Sequence, residues 1–205
     1  TGVTAAPIRV GPRRYVSAGR GIPALDGVRA IAVALVLADH GGIPGMSGGF
    51  LGVDVFFVLS GFLITSLLLD EIGRTGSIGL KGFWIRRARR LLPALVVMVL
   101  AVVALRDLFA AESTASLREE AVATFFWMSN WAFVAQRTDY FAQGAPPSPL
   151  QHTWSLGVEE QYYLFWPLLL AAVVAGLAAW SYRRGVPMSA RAVRAAVFAV
   201  AALGV

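Results

Sequence analysis

The chain has 205 residues, of which 57% are hydrophobic and 15% are charged, and its mean hydropathy is +0.66. This small number of charged side chains cannot cover the surface of a water-soluble globule of this size, and the composition therefore excludes an ordinary soluble domain. It predicts an all-α, polytopic transmembrane helix bundle. The net charge of +6 lies in a few arginine clusters, as is typical of charges that flank membrane helices, and this disfavours nucleic-acid binding.

Residues 1–21 are predicted to be a basic cytoplasmic segment, because they hold four arginines among glycine and proline. The apolar run that follows predicts a first membrane helix over about residues 22–43. A cleaved secretory signal is excluded, because this run carries Arg29, Asp39 and His40, and no small-residue cleavage site precedes another apolar stretch. The helix is therefore expected to be retained.

A second span is predicted over residues 50–69, twenty residues in which only Asp54 is charged. At about 1.5 Å per residue, this run matches the thickness of the bilayer core. Residues 70–90 are the most basic stretch of the chain, and the positive-inside rule places them in the cytoplasm, in agreement with the basic N-terminus two spans earlier. Residues 91–111 predict a third span.

The fourth apolar run, residues 121–135, is short and contains Ser129 and Asn130. It either crosses the membrane or re-enters it, and crossing is preferred because its polar flanks can extend the helix when neighbouring helices shield them. Residues 161–180 predict a fifth span, followed by arginines that lie outside if the fourth run crosses and inside if it re-enters. A last apolar run starts near Ala192, so the chain is expected to be truncated, with about five spans and the start of a sixth.

Ionisable residues within membrane helices are costly and mark candidate functional sites. Arg29 and His40 lie eleven residues apart, which places them on one helical face, separated by roughly 16 Å along the axis. Asp26 shares this face and can pair with Arg29, which leaves the imidazole of His40 to take or give a proton. The alternative is that Arg29 and His40 lie at the two membrane interfaces, where polar residues cost little.

The second predicted helix carries a stripe of small and polar residues. Asp54, Gly61 and Thr65 recur at spacings of seven and four, so they share one face, with Ser60 beside them. Small residues let another helix approach closely. Because a lipid-facing carboxylate is costly, Asp54 is expected to face the first helix, and simple packing of small residues is the alternative.

Residues 83–90 form an arginine-rich segment that is expected to enter the third span as a helix, with Arg86, Arg89 and Arg90 on one side. The most direct explanation is a topological anchor with an aromatic residue at the membrane interface. A binding role stays open, because guanidinium groups hold phosphates bidentately, and a cytoplasmic cluster would suit a phosphorylated acyl carrier.

The segment 152–163 contains two adjacent carboxylates. Thr153 or Ser155 is predicted to cap a helix that brings Glu159 and Tyr163 onto one face at the start of the fifth span. The carboxylates can serve in acid/base chemistry, or they can simply lie at a favourable helix N-terminus. No residues show metal-site spacing, so no metal is expected.

Together these segments resemble the acyltransferase 3 family, multi-pass membrane enzymes that O-acylate envelope polysaccharides and related glycans in bacteria. Four blocks carry the resemblance and follow the family order through most of the chain. They are residues 25–30 with the spacing from Arg29 to His40, residues 52–65, residues 83–93 and residues 152–166. Four coincident blocks are specific, whereas the spacing of Arg29 and His40 alone would be a weak signal.

The resemblance implies transfer of an acyl group, often acetyl from acetyl-CoA, to a carbohydrate hydroxyl. In this chemistry His40 deprotonates the acceptor or carries the acyl group, Arg29 is indispensable, and Glu159 orients a substrate. The implied donor-binding residues are Arg86, Arg87, Arg89 and Arg90, and the supporting residues are Asp26, Asp54, Ser155, Gln161 and Tyr163.

The resemblance also implies a bacterial inner-membrane protein with a cytoplasmic N-terminus, in which residues 22–205 form the N-terminal half of an acyltransferase domain of about ten spans. Acyl-CoA is expected as co-substrate, a glycan as acceptor and the lipid bilayer as surroundings, with no bound cofactor and no nucleic-acid partner. The competing function is a proton-coupled transporter, because Arg, Asp and His in broken helices also suit a proton relay.

Overall fold

The structure is a computed structural model that describes residues 23–109, 111–136, 147–187 and 189–203. Every regular element in these ranges is helical, which confirms the all-α prediction. The predicted cytoplasmic segment 1–21 lies outside the described residues, and so does residue 22, at which the first helix was expected to begin.

The helices at the predicted second, third and fifth spans extend into their charged flanks. The second helix, for example, continues through Glu71 and Arg74, because hydropathy marks only the apolar part of a helix, whereas backbone hydrogen bonding continues through charged residues. The helix at the first span ends at His40 and the one at the third at Ala104, before the predicted ends at residues 43 and 111. In the described ranges the α-helices are α1 (Pro23–His40), α2 (Gly52–Thr75), α3 (Leu80–Ala104), α4 (Ala111–Thr114), α5 (Leu117–Phe125), α6 (Ser129–Ala135), α7 (Thr153–Arg184) and α8 (Ala190–Leu203). Short 3-10 helices precede α2 (Gly49–Leu51) and follow α3 (Arg106–Leu108).

The described residues form two compact units. The first comprises residues up to Ile78 together with those from Trp166 onward, and the second runs from Gly79 to Phe165. Helix α7 is continuous and contributes its N-terminal part to the second unit and its C-terminal part to the first. Each unit has its own apolar cluster of buried side chains.

In the first unit, α1 packs on α2 through small residues. A Cβ atom added at Gly52 would lie 2.5 Å from the Ala32 carbonyl oxygen, and one added at Gly49 would lie 2.1 Å from the Leu35 carbonyl oxygen. Both distances are far below van der Waals contact, and the nearest atom in each case belongs to the backbone of α1. Only glycine therefore allows the two helices to approach this closely.

Helix α2 and the C-terminal part of α7 run parallel. Trp166 Nε1 donates a hydrogen bond to Thr65 Oγ1 at 2.8 Å, and about two turns further along both helices Ile72 and Val174 share a buried cluster. Val193 of α8 completes that cluster. Because parallel spans leave a bilayer on the same face, the C-terminal ends of α2 and α7 are expected on one side of the membrane.

Two helical stretches are long and apolar enough to cross a membrane, Gly49–Thr75 and Thr153–Arg184. They contain the predicted second and fifth spans. Helix α1 carries Asp26, Arg29 and Asp39, and α3 carries several arginines in its N-terminal part. Neither helix therefore has as long a stretch with so few charges as these two. Of the predicted five spans and the start of a sixth, the described residues thus show two by length and composition.

In the second unit, α3 and the N-terminal part of α7 run antiparallel. Trp84 Nε1 donates to the Tyr163 carbonyl oxygen at 3.2 Å, and three residues further along α3 Arg87 pairs with Glu160, three residues earlier on α7. The apolar core of this unit lies between α3, α5 and the residues before α7. It consists of Leu95, Val99, Leu117, Ala121 and Leu150.

The fourth apolar run forms two short helices, instead of the one extended helix on which the preferred prediction of a crossing over residues 121–135 is based. Helices α5 and α6 have nine and seven residues, so at about 1.5 Å per residue neither spans a core of about 30 Å. Between them Trp127 adopts φ +54°, a left-handed conformation that costs a non-glycine residue about 1–3 kcal/mol. A re-entrant element also fits the parallel arrangement of α2 and α7.

Candidate active site

His40 is the last residue of α1, and its side chain is exposed. Its Nδ1 lies 2.8 Å from the Val36 carbonyl oxygen, one turn earlier. Because a carbonyl oxygen only accepts hydrogen bonds, Nδ1 carries the proton of the neutral ring and Nε2 is the basic nitrogen. The hydrogen bond thus selects the tautomer that a general base or a nucleophile requires.

Arg29 shares the helical face of His40, as predicted, because α1 is continuous from Pro23 to His40. The rise of α1 separates the two residues by about 16 Å, more than an arginine side chain reaches, so they lie at different depths of the helix. In the described part of the chain no ion pair joins Arg29 to Asp26, which is exposed, and the anticipated pair is not formed. Arg29 Nε is buried and has no hydrogen-bond partner among the described residues.

Asp54, which was expected to face the first helix, is exposed in the first turn of α2. Gly52, two residues earlier, makes the close contact with α1 instead. A carboxylate in the first turn is favoured by the helix dipole, so the position of Asp54 has a structural explanation. Further along the stripe, Thr65 accepts the hydrogen bond from Trp166 on α7.

The arginines of α3 fall into two groups. Arg86, Arg89 and Arg90 are exposed, as the predicted common side of the helix requires. Arg87 instead pairs with Glu160: its Nε lies 3.0 and 2.8 Å from the two carboxylate oxygens, and its Nη2 donates to one of them. The side chain of Glu160 is 4% exposed and that of Arg87 is 22% exposed. Arg87 is therefore held in the protein, whereas the other three arginines extend from it.

Tyr163 links this ion pair to a second carboxylate. The guanidinium carbon of Arg87 lies 3.1 Å from the centroid of the Tyr163 ring, a cation–π contact with a buried tyrosine. The phenolic hydroxyl donates to Glu159 Oε1 at 3.0 Å, so the predicted common face of Glu159 and Tyr163 is confirmed. Glu159 itself is only half-buried. The two adjacent carboxylates thus have different environments, one paired and buried and one partly exposed.

Gln161 holds the break between α5 and α6. Its Nε2 donates to the Trp127 carbonyl oxygen at 2.7 Å and to Asn130 Oδ1 at 2.9 Å. One turn earlier on α7, a Cβ atom added at Gly157 would lie 2.9 Å from Asn130 Oδ1. Trp127, the residue with the left-handed conformation, thus packs directly against α7, and Gln161 stabilises that conformation.

The start of α7 does not use the predicted side-chain cap. Ser155 Oγ donates to the His152 carbonyl oxygen at 3.2 Å, and Thr153 Oγ1 donates to the Leu150 carbonyl oxygen at 2.7 Å. These hydroxyls therefore bond to carbonyl groups of the preceding turn, instead of to the N–H groups of α7 that a cap requires.

Sequence reasoning missed the buried carboxylate of Glu120, and it did not anticipate that Glu160 is buried and paired with Arg87. Glu120 is 4% exposed and accepts a hydrogen bond from Ser148 Oγ. Burial raises the pKa of Glu120 above its ordinary value, and nearby Glu119 raises it further, while the bond from Ser148 lowers it. An available signal was the spacing of Glu120 and Thr124, which puts two polar groups on one face of α5.

A helical fold with two helices long and apolar enough to cross a bilayer, and with an ion pair between helices, is typical of a membrane-embedded helix bundle. In its described ranges no three His, Asp or Glu side chains cluster as metal ligands would. Residues 22–203 match the family model described as an acyltransferase domain, and the chain belongs to this family, acyltransferase 3.

The relatives of the chain are described as O-acetyltransferases. The peptidoglycan O-acetyltransferase OatA of Listeria monocytogenes is 49% identical over 149 residues, which cover 73% of this chain and 24% of that protein. The putative peptidoglycan O-acetyltransferase YrhL of Bacillus subtilis is 46% identical over 151 residues, 74% of this chain and 24% of that protein. A putative O-acetyltransferase of Staphylococcus aureus is 46% identical over 155 residues, 76% of this chain and 26% of that protein.

The chain thus spans about a quarter of the length of these relatives. No solved structure matches it.

Proposed function

We propose that the full-length protein is a membrane-embedded O-acyltransferase that moves an acyl group, acetyl in the simplest case, from acyl-CoA to a carbohydrate hydroxyl of an envelope glycan. Family membership supports the reaction class, and the names of two relatives support peptidoglycan as acceptor. Because the chain spans about a quarter of those relatives, it supplies one part of the enzyme. The proposed location is the bacterial cytoplasmic membrane, with a cytoplasmic N-terminus.

The observation that carries this proposal is the hydrogen bond from His40 Nδ1 to the Val36 carbonyl, which makes Nε2 the basic nitrogen. As general base, Nε2 takes the proton of the acceptor hydroxyl while the hydroxyl oxygen attacks the thioester carbonyl. The C–O bond forms, the C–S bond breaks, and the imidazolium returns the proton to the leaving thiolate. As acyl carrier, Nε2 attacks the thioester carbonyl, and the C–S bond breaks to release the CoA thiolate. The acceptor hydroxyl then attacks the acyl group, the C–N bond to Nε2 breaks, and the hydroxyl proton goes to the released thiolate.

The arginines supply complementary charge in this mechanism. Arg29, with its buried Nε, lies about 16 Å from His40 along α1, so it donates to a substrate oxygen at its own depth and orients the substrate there. Exposed Arg86, Arg89 and Arg90 hold the phosphates of the acyl-CoA donor, because the guanidinium fork matches phosphate oxygens. Glu159, fixed on one side by Tyr163, orients the donor or the acceptor.

A proton-coupled transporter is not favoured. The family and the named relatives are acyltransferases. A proton relay also needs neighbouring groups within hydrogen-bond range, whereas Arg29 and His40 are about 16 Å apart along α1.

The test is His40→Gln in the full-length protein, expressed in cells that lack the native copy. Mass spectrometry of the cell-wall glycan is expected to show loss of O-acetyl groups, because glutamine has no titratable nitrogen. Asp107→Asn, at an exposed position after α3, is the control for insertion and is expected to keep acetylation. Persistence of the acetyl groups in His40→Gln overturns the assignment. A labelled acyl group that is released from the wild type by hydroxylamine, and is absent from His40→Gln, identifies the carrier route.

A further inference from the structure

The pair between Arg87 and Glu160 differs from the other ion pairs in the described part of the chain. The side chains of Arg74 and Asp70 are 60% and 36% exposed, and those of Arg106 and Asp107 are 66% and 91% exposed, so these pairs are screened by solvent and contribute little. Glu160 is 4% exposed and receives three hydrogen bonds from one guanidinium group. Loss of either partner would leave a buried charge without compensation.

The pair also sets the position of a third side chain. Because Glu160 bonds to both Nε and Nη2, the plane of the Arg87 guanidinium is fixed, and its central carbon lies 3.1 Å from the centre of the Tyr163 ring. Trp84 bonds to the backbone carbonyl of Tyr163, which ties the same residue to α3 a second time. The ring of Tyr163 is therefore held through its face and through its backbone.

The hydroxyl of the held ring bonds to Glu159, the neighbour of Glu160. Successive residues of a helix point about 100° apart, so one carboxylate enters the interior while the other stays half-exposed. The contacts run from Glu160 to Arg87, from Arg87 to Tyr163 and from Tyr163 to Glu159. The buried carboxylate thereby fixes the orientation of the exposed one.

We propose that Glu160 is a positioning residue for acyl transfer: through Arg87 and Tyr163 it holds the carboxylate of Glu159 in the orientation that the reaction needs. The proposal rests on the proposed function, in which Glu159 orients a substrate. Glu160 does not touch the substrates, so its loss lowers turnover without weakening donor binding.

The experiment uses the full-length enzyme in detergent, with radiolabelled acetyl-CoA and purified peptidoglycan fragments. Glu160→Gln keeps an acceptor oxygen but loses the charge that fixes Arg87, and Tyr163→Phe keeps the stacked ring but loses the bond to Glu159. Each variant is expected to lower kcat about tenfold or more, with the KM for acetyl-CoA within about twofold of the wild type. The double variant is expected to be about as active as the weaker single variant, because both substitutions break the same link.

Arg74→Gln, which breaks an exposed ion pair outside this cluster, is the control and is expected to keep the wild-type kcat. A wild-type kcat in the folded fraction of Glu160→Gln overturns the proposal. A double variant whose fold-loss in kcat equals the product of the two single losses overturns it as well. A wild-type enzyme that transfers no acetyl group overturns the proposed function itself, a result distinct from an active wild type with an unaffected Glu160→Gln variant.

If Glu160→Gln fails to fold, a double variant with the two charges exchanged tests the proposal. Arg87→Glu combined with Glu160→Arg restores an ion pair but places no cation over the Tyr163 ring. It is expected to restore folding while kcat stays about tenfold below the wild type. Full recovery of kcat would mean that the ion pair is structural only, and would overturn the proposal.

Discussion

Replacing Gly52 with alanine is expected to force α1 away from α2. The added Cβ would lie 2.5 Å from the Ala32 carbonyl oxygen and 2.7 Å from Val36 Cγ2. A relaxed contact needs about 3.5 Å, so the helices must separate by about 1 Å. Because the nearest atom belongs to the backbone, it cannot rotate out of the way, and overpacking of this kind costs about 1–3 kcal/mol.

This displacement reaches the proposed chemistry through Val36, whose carbonyl fixes the ring of His40. A misplacement of about 1 Å can lower catalysis about 100-fold. The full-length Gly52→Ala variant is therefore expected to unfold at a lower temperature than the wild type in detergent, and to lose most of its acetyl transfer to peptidoglycan fragments.

Gly27→Ala is the matched control, because Gly27 lies on α1, the helix that Gly52 contacts, and nothing approaches within 4 Å of its added Cβ. Alanine at this position is expected to stabilise α1 by about 0.5–1 kcal/mol. The two substitutions thus have opposite predicted signs. A Gly52→Ala variant that unfolds at or above the wild-type temperature, with normal transfer, refutes the close approach of the two helices.

Three further predictions concern topology, a buried acid and the donor. Since the chain has no native cysteine, Met46→Cys and Val186→Cys can be labelled singly; they are expected on opposite membrane faces because α2 and α7 run parallel, and labelling of both by an impermeant reagent in intact cells contradicts this. Burial raises the pKa of Glu120, so the folded protein binds a proton more tightly than the unfolded chain, and stability falls as pH rises from the ordinary value of 4.5 through the raised one. The unfolding temperature of Glu120→Gln is therefore expected to rise relative to that of the wild type as pH rises through this window. A difference in unfolding temperature that does not change with pH contradicts this prediction. Replacing Arg86 and Arg89 together with lysine is expected to raise the KM for acetyl-CoA about tenfold, because lysine lacks the bidentate fork, whereas an unchanged KM makes these arginines a topological anchor.

Local periodicity determined much of the candidate site. The angle between successive residues of a helix does not depend on the rest of the fold. It determines the common face of Arg29 and His40, that of Glu159 and Tyr163, and the exposed side of α3. The two most apolar helices were likewise predictable, because a run of about twenty residues with at most one charge has few other structures open to it. The helix ends were not, since hydropathy falls where charges begin while the backbone hydrogen bonds continue.

Tertiary structure decided which of these residues meet. Arg87 looked like its neighbours in the sequence, and only the packing of α3 against α7 brought it to Glu160, 73 residues away. The same holds for the break at Trp127, which depends on a hydrogen bond from Gln161 on another helix, and for the exposure of Asp54 beside a glycine contact. Helix periodicity fixes the face of a side chain, but its partner depends on where a distant segment packs, and that is settled by the burial of the whole core rather than by any one stretch of sequence.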